Sequence, residues 1–176
     1  MPDMTSVERT ARTEPSTTAG EREMLEAWLD YHRRTLAVKC EGLAEAQLRT
    51  ASAPPSDLSL LGLVRHMAEV ERGWFRRVLA GERPGRIYAT EEDRDRAFHL
   101  TPGDTWDEAY ATWQGEIARA RELASAHHLD DLGKGEHRSG ETFNLRWIYT
   151  HMIEEYARHN GHADLLRERI DGVTGE

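Results

Sequence analysis

Apolar side chains recur every three or four residues in four stretches of this chain, which is the spacing of one face of an α-helix. No run of five or more residues alternates apolar and polar positions with the β-branched enrichment that is typical of a strand. The pattern therefore predicts an all-α protein. The four predicted helices cover approximately residues 21–47, 59–80, 105–127 and 143–170.

The segments between these stripes carry residues that end or begin helices. Pro54-Pro55-Ser56 follows the first helix, Gly81 follows the second, and Thr105 begins a capping-box pattern at the third. Residues 82–104 form a long connection, which predicts a functional flap or a crossover. We expect a four-helix bundle with this one long connection between helices 2 and 3. The predicted bounds are 1–20 for a flexible polar tail and 21–172 for a single domain.

Composition narrows the classes of partner. The 176 residues carry a formal net charge of −9, which argues against a general nucleic-acid binder because such proteins present basic patches to phosphates. Apolar residues are too dispersed for a membrane span of roughly 20 residues. The N-terminal residues lack the apolar region of a signal peptide, and the lone Cys40 excludes an internal disulfide. We expect a cytoplasmic protein that associates with neither membranes nor nucleic acid.

The last predicted helix contains polar residues where apolar ones are expected. Its apolar seam begins at Leu145, and the same spacing arrives at Glu155, His159 and His162 before it turns apolar again at Leu166. Burying an unpaired carboxylate costs several kcal/mol, and an unsatisfied polar group costs roughly 1–3 kcal/mol. These polar residues therefore need a partner that offsets the free-energy cost of burying them.

A divalent metal ion is the simplest compensation. Glu155 and His159 are four residues apart, so both project from one face of the helix and can bind one ion. On the second predicted helix, His66 lies in the apolar stripe between Leu63 and Val70 and supplies a third ligand. Two imidazoles and a carboxylate suit zinc or a similar divalent ion, and three protein ligands leave a position for water or substrate.

A structural explanation of the same residues stays open at this point. A single histidine on a helix stripe is more often a hydrogen-bonded core or interface residue than a ligand. Glu155 has three candidate ion-pair partners, which are Arg65, Arg146 and Arg158.

Three further histidines are candidates for supporting roles around the site. His162 lies one turn beyond His159 and either orients a metal ligand, shuttles a proton or forms a hydrogen bond with a purely structural role. His151 precedes Glu155 by four residues and either orients that carboxylate or lies on the surface. His32, on the first helix, is a pocket residue or a partly buried polar residue.

Two segments of the chain resemble the DinB-like superfamily. They are residues 60–71, LLGLVRHMAEVE, and residues 151–164, HMIEEYARHNGHAD. The closest likeness is to its uncharacterised branch near the mycothiol-dependent metalloenzymes, and it covers residues 21–172. The resemblance implies a four-helix bundle with up-down-down-up topology and a divalent metal held at His66, Glu155 and His159. Many members of the superfamily carry histidine at the position that matches Glu155. The glutamate of this chain resembles the mycothiol-dependent maleylpyruvate isomerase type instead.

The resemblance also implies a chemistry, to which two alternatives stay open. Zinc is the first choice of metal, with nickel, iron or manganese as alternatives, and it would activate the thiolate of a low-molecular-weight thiol such as mycothiol. The expected enzyme is a metal-dependent thiol S-transferase, or a thiol-dependent isomerase, acting on a small electrophile. The alternatives are a non-enzymatic, stress-associated metal-binding bundle and a metal-free helical interaction domain. A homodimer is a further expectation from the family.

Overall fold

The computed structural model describes residues 12–175, and five α-helices lie in that range. They are α1 (Glu21–Cys40), α2 (Glu45–Leu48), α3 (Leu60–Glu71), α4 (Trp106–Ser125) and α5 (Leu145–Asp171), and α3 continues as a π-helix over Arg72–Leu79. Residues 12–175 contain no strand, only an isolated bridge between Leu132 and Asn144. The all-α class is confirmed.

Several expectations about the overall organisation stay predictions. These are the up-down-down-up order of the helices, the single domain at residues 21–172 and the flexible tail at residues 1–20. Residues 1–11 of that tail lie outside the described residues. Within the remainder, the Arg12 guanidinium lies 5.4 Å from the ring centroid of Tyr31 on α1.

Helices α3, α4 and α5 begin where the sequence places capping side chains. The Ser59 hydroxyl accepts a hydrogen bond from the Gly62 amide at 3.1 Å, and Asn144 accepts one from the Trp147 amide at 2.9 Å. The first helix ends at Cys40, earlier than the predicted residue 47. Gly42 adopts a left-handed conformation with φ of 74°, which interrupts the helix before the short α2.

The core forms where α1 packs against α5 and α3 packs against α4. Because α3 also contacts α5, the predicted second and last helices lie side by side. In the described part of the chain, no helix combines the length and the apolar character needed to cross a membrane. The apolar side chains with no exposed surface include Leu29, Leu36, Leu63, Met67, Trp113, Ile148 and Met152.

A buried polar network connects α1, α3, α4 and α5. Arg33 Nε and Nη2 donate to the two carboxylate oxygens of Glu71, each at 2.8 Å. The Tyr156 hydroxyl donates to Glu71 at 2.7 Å and accepts from the indole N–H of Trp113 at 2.8 Å. Each helix thus contributes a group to a network that satisfies its own charges.

The long connection between the π-helix and α4 is attached to α3. The Glu69 carboxylate accepts hydrogen bonds from the backbone amides of Ile87 and Tyr88, each at 2.9 Å. The buried Arg65 guanidinium lies 4.1 Å from the ring centroid of Tyr88 and forms an ion pair with Asp104. The connection is therefore held against the helix that carries His66.

Candidate metal centre

The three predicted ligands meet in the contact between α3 and α5. His66 lies in the second turn of α3, while Glu155 and His159 occupy successive turns of α5. One candidate ligand atom from each residue lies within 4.8 Å of the others. The ring centroids of His66 and His159 are 4.7 Å apart, and His159 Nε2 lies 3.5 Å from Glu155 Oε2.

Burial and neighbouring charge favour the metal-binding protonation states of these groups. Burial, together with the nearby His159, lowers the pKa of His66 to about 4, so its imidazole is neutral near pH 7. The hydrogen bond with His159 lowers the pKa of Glu155, although partial burial opposes this shift. A neutral imidazole and an ionised carboxylate are the forms that coordinate a divalent ion. The donor set therefore fits zinc, which accepts nitrogen and oxygen ligands together.

The arginines that could have neutralised Glu155 pair with other carboxylates. Ion pairing of Glu155 with Arg65, Arg146 or Arg158 was the structural alternative to a metal. The observed pairs are Arg65 with Asp104, Arg146 with Glu21 and Asp130, and Arg158 with Glu154. The recorded ion-pair contacts of Glu155 are instead with His151 and His159.

Two of the three candidate supporting histidines lie beside the centre. His162 Nδ1 is 3.3 Å from His159 Nδ1, which leaves Nε2 of His159 on the side of Glu155. His151 Nε2 is 3.6 Å from Glu155 Oε1, the other oxygen of the carboxylate. His151 and Glu155 also form a second cluster with Glu154, whose ligand atoms lie within 4.8 Å of one another.

His32 is not part of this arrangement. The Asn160 side-chain amide donates to the backbone carbonyl of His32 at 3.0 Å, so the residue faces the contact between α1 and α5. Its side chain lines a cavity of about 400 Å³ with Lys39 and Asp164. The cavity that His32 lines thus differs from the site at His66, Glu155 and His159, and a role for His32 in that site stays a prediction.

Aromatic side chains adjoin the centre on two sides, and sequence reasoning missed their arrangement. Phe98, from the long connection, stacks on His66 with ring centroids 5.0 Å apart. On the other side, the ring centroid of His151 lies 4.6 Å from Trp74 and 4.9 Å from Trp147. Aromatic composition was visible in the sequence, but only the fold brings these rings beside His66 and His151.

The π-helix and the connection before α5 assemble the second aromatic group. Backbone amides of Lys134 and Gly135 donate to the carbonyls of Leu79 and Val78, each at 3.0 Å. A Cβ atom on Gly135 would lie 1.7 Å from the Arg77 carbonyl oxygen, so this close approach requires glycine. The same segment stacks His137 on Trp74 and Phe143 against Trp147. π-Helical segments are often found at functional sites.

A comparison with protein families identifies the family of this chain. The sequence profile of the mycothiol-S-transferase family matches residues 24–172, which include all of α1 after its first three residues, α2 through α5 and all three candidate ligands. The chain belongs to the mycothiol-S-transferase family. That family is part of the DinB-like superfamily, so the predicted resemblance is confirmed. A comparison with curated proteins gives no match.

Proposed function

We propose that this member of the mycothiol-S-transferase family is a metal-dependent enzyme that joins a low-molecular-weight thiol to an electrophile. His66, Glu155 and His159 hold one divalent ion, with zinc as the first choice and nickel, iron or manganese as alternatives. The observation that carries the proposal is the convergence of these three donors from two helices within 4.8 Å. The family match supports mycothiol, or a thiol like it, as the substrate.

The side chains around the centre hold the ligands in place. A bound zinc ion would keep a coordinated thiol in its thiolate form near neutral pH. His162 contacts one nitrogen of His159 and thereby fixes which nitrogen faces Glu155. His151 lies beside Oε1 of Glu155 and limits rotation of the carboxylate.

In the proposed transfer, the thiol loses its proton to solvent, and the sulfur lone pair forms a bond to an electrophilic carbon. Either a leaving group departs from that carbon with its electron pair, or, in conjugate addition, the neighbouring carbon takes up a proton. An isomerase of this family would instead eliminate the thiol again after the adduct has rearranged.

The protein's own thiol does not fit this role. Cys40 is buried at the end of α1, and burial raises the pKa of its thiol to about 12. A thiol with this pKa is protonated at physiological pH and is therefore a poor nucleophile. In the proposed reaction, the nucleophilic thiol is a substrate.

Metal content provides the first test. Protein purified without an affinity tag is expected to contain about one zinc or similar ion per chain, and His66→Ala and His159→Ala are expected to lose it. His128→Ala replaces an exposed histidine outside the site and serves as the matched control. If both ligand variants retain stoichiometric metal, the proposed ligand set is wrong.

Catalysis is tested separately with the metal-loaded protein. Mycothiol or bacillithiol is incubated with a panel of electrophiles, and the conjugate is measured against the uncatalysed rate. Acceleration that His66→Ala abolishes supports the transferase, whereas rearranged product without conjugate supports the isomerase. Metal binding without turnover across several metals and thiols would favour the non-enzymatic bundle. The homodimer and the cytoplasmic location stay predictions.

A further inference from the structure

Phe98 is the one phenylalanine of the long connection between the π-helix and α4, and it lies against the candidate ligand His66. The two ring centroids are 5.0 Å apart and the ring planes differ by 29°, which is a stacked arrangement. His66 therefore has His159 on one side, at 4.7 Å between ring centroids, and Phe98 on another. An imidazole that lies between two rings has little freedom to rotate about its side-chain bonds.

Gly62 provides the space for this stacking. It lies four residues before His66, on the same face of α3. A Cβ atom at position 62 would lie 3.2 Å from Phe98 Cδ1 and 3.3 Å from Phe98 Cα. The same Cβ atom would lie 3.2 Å from Ser59 Oγ, so even a methyl group here would require Phe98 and the Ser59 hydroxyl to shift by a few tenths of an ångström. Glycine is a poor helix former, so its presence inside α3 is consistent with a need for close approach.

The backbone around Phe98 is held by the residues that flank His66. Arg65 contacts the connection through Tyr88 and Asp104, and Glu69 accepts two of its backbone amides. Next to Phe98 itself, the Phe98 amide donates to the Asp95 carbonyl at 2.8 Å. The ring is therefore placed by the same helix that carries the ligand, before any metal or substrate binds.

We infer that Phe98 is a positioning residue that holds the His66 imidazole in its metal-binding orientation, and that Gly62 exists to admit it. The inference rests on the proposed function, because it takes His66 as a ligand. A second possible role for Phe98 is only to cover the core. The two roles differ in what they affect, because a cover changes stability alone, whereas a positioning residue changes the ligand.

Gly62→Ala separates these roles, since its methyl group displaces Phe98, together with the Ser59 hydroxyl, without altering either ring. Zinc affinity, measured by competition with a chromophoric chelator, is expected to fall about 10-fold, at the lower end of the effects seen when groups that orient metal ligands are changed. Gly115→Ala is the matched control. Gly115 lies inside α4, and a Cβ atom there would have no neighbour within 4 Å. Its alanine variant is expected to raise the thermal midpoint and leave zinc affinity unchanged.

Substitutions of Phe98 give a graded series. Phe98→Ala is expected to weaken zinc binding as much as Gly62→Ala does, and to change the visible absorption spectrum of the cobalt-substituted protein. Phe98→Tyr keeps the ring and is expected to restore both properties. If Phe98→Ala fails to fold, Phe98→Leu keeps apolar volume without a stacked ring and is compared in the same assays. Wild-type zinc affinity and an unchanged cobalt spectrum in Gly62→Ala and in the folded Phe98 variant would overturn the inference.

Nuclear magnetic resonance of the metal-free protein distinguishes failure of this inference from failure of the proposed function. The Phe98 ring is expected to shift the ring-proton resonances of His66, and this shift should disappear in Phe98→Leu. An unchanged His66 signal would show that the rings do not stack, whatever the metal result. If the signal changes but the wild-type protein binds no zinc, cobalt or nickel, the metal centre is wrong and the positioning role falls with it.

Discussion

Two glutamates near the contact of α3 and α5 have opposite surroundings. Glu71 on α3 is fully buried and receives two hydrogen bonds from Arg33 and one from Tyr156. Glu155 on α5 has a side chain that is 20% exposed, and its recorded ion-pair contacts are His151 and His159 at 3.6 and 3.5 Å. The Glu71 carboxylate pairs with the guanidinium of Arg33, whereas the neighbours of the Glu155 carboxylate are imidazoles.

The difference shows which polar cluster serves stability and which suits binding. Burial lowers the pKa of Arg33, but the neighbouring Glu71 raises it by more, so the pKa lies above its ordinary value and the guanidinium stays charged. The imidazole of His66 has a lowered pKa and supplies no positive charge near pH 7. Because neutral imidazoles offer lone pairs, the cluster around Glu155 suits an added cation.

The largest expected effect comes from opening the closed network. Glu71→Ala removes the carboxylate that binds Arg33 through two hydrogen bonds and leaves this buried guanidinium with only Asp30, 3.0 Å from Nη1. Breaking a buried pair costs about 3–5 kcal/mol. The free energy of unfolding, measured with urea, is expected to fall by that amount, with zinc affinity retained in the folded fraction. Equal stability of variant and wild type would show that Arg33 finds another partner, and the contrast with Glu155 would be lost.

The opposite result is expected at the candidate metal centre. Glu155→Gln removes a charged ligand, and zinc affinity is expected to fall at least about 100-fold by chelator competition, since one of three protein ligands is lost. At free zinc of about 100 times Kd, the wild type should gain about 2.7 kcal/mol of stability, and the variant should lose most of this gain. Metal-free Glu155→Gln should stay within about 1 kcal/mol of the metal-free wild type.

The control for this prediction is Glu154→Gln on the same helix. Glu154 is exposed, pairs with Arg158 and belongs only to the second cluster, with His151 and Glu155. Its replacement is expected to leave zinc affinity unchanged. Should Glu154→Gln weaken zinc as much as Glu155→Gln, the ion would belong to the second cluster.

The same two regions differ in how much of them could be predicted from the sequence. His66, Glu155 and His159 were predictable because helical periodicity fixes which residues share a face, and polar residues on an apolar stripe stand out. Phe98 was not predictable, because residues 82–104 have no periodicity and their path depends on contacts with Arg65 and Glu69. No pattern in the sequence marks Arg33 and Glu71 as a buried pair, since only the packing of α1 on α3 and α5 buries them together.

A smaller effect is expected where the two regions adjoin. Tyr156 follows Glu155 in the chain, but its hydroxyl joins Glu71 and Trp113. Tyr156→Phe keeps the ring and removes both hydrogen bonds, which is expected to cost about 1–3 kcal/mol in urea unfolding because buried polar groups lose their partner. Zinc affinity is expected to match the wild type. A loss of both properties together would mean that the network and the metal centre act as one unit.

The smallest expected effect concerns Cys40, the protein's only thiol. Burial raises the pKa of this thiol to about 12, so raising the pH to about 9, where an exposed cysteine with a pKa of about 8.5 is mostly thiolate, should not make it reactive. An aromatic disulfide reagent is therefore expected to label it only after unfolding, and Cys40→Ala should leave zinc affinity and transferase activity unchanged. Fast labelling of the folded protein, or loss of activity in Cys40→Ala, would bring a protein thiol into the reaction. Cys40 would then be a third group in the comparison. Like Glu155 it would be available for chemistry, whereas Glu71 is fully paired within the fold.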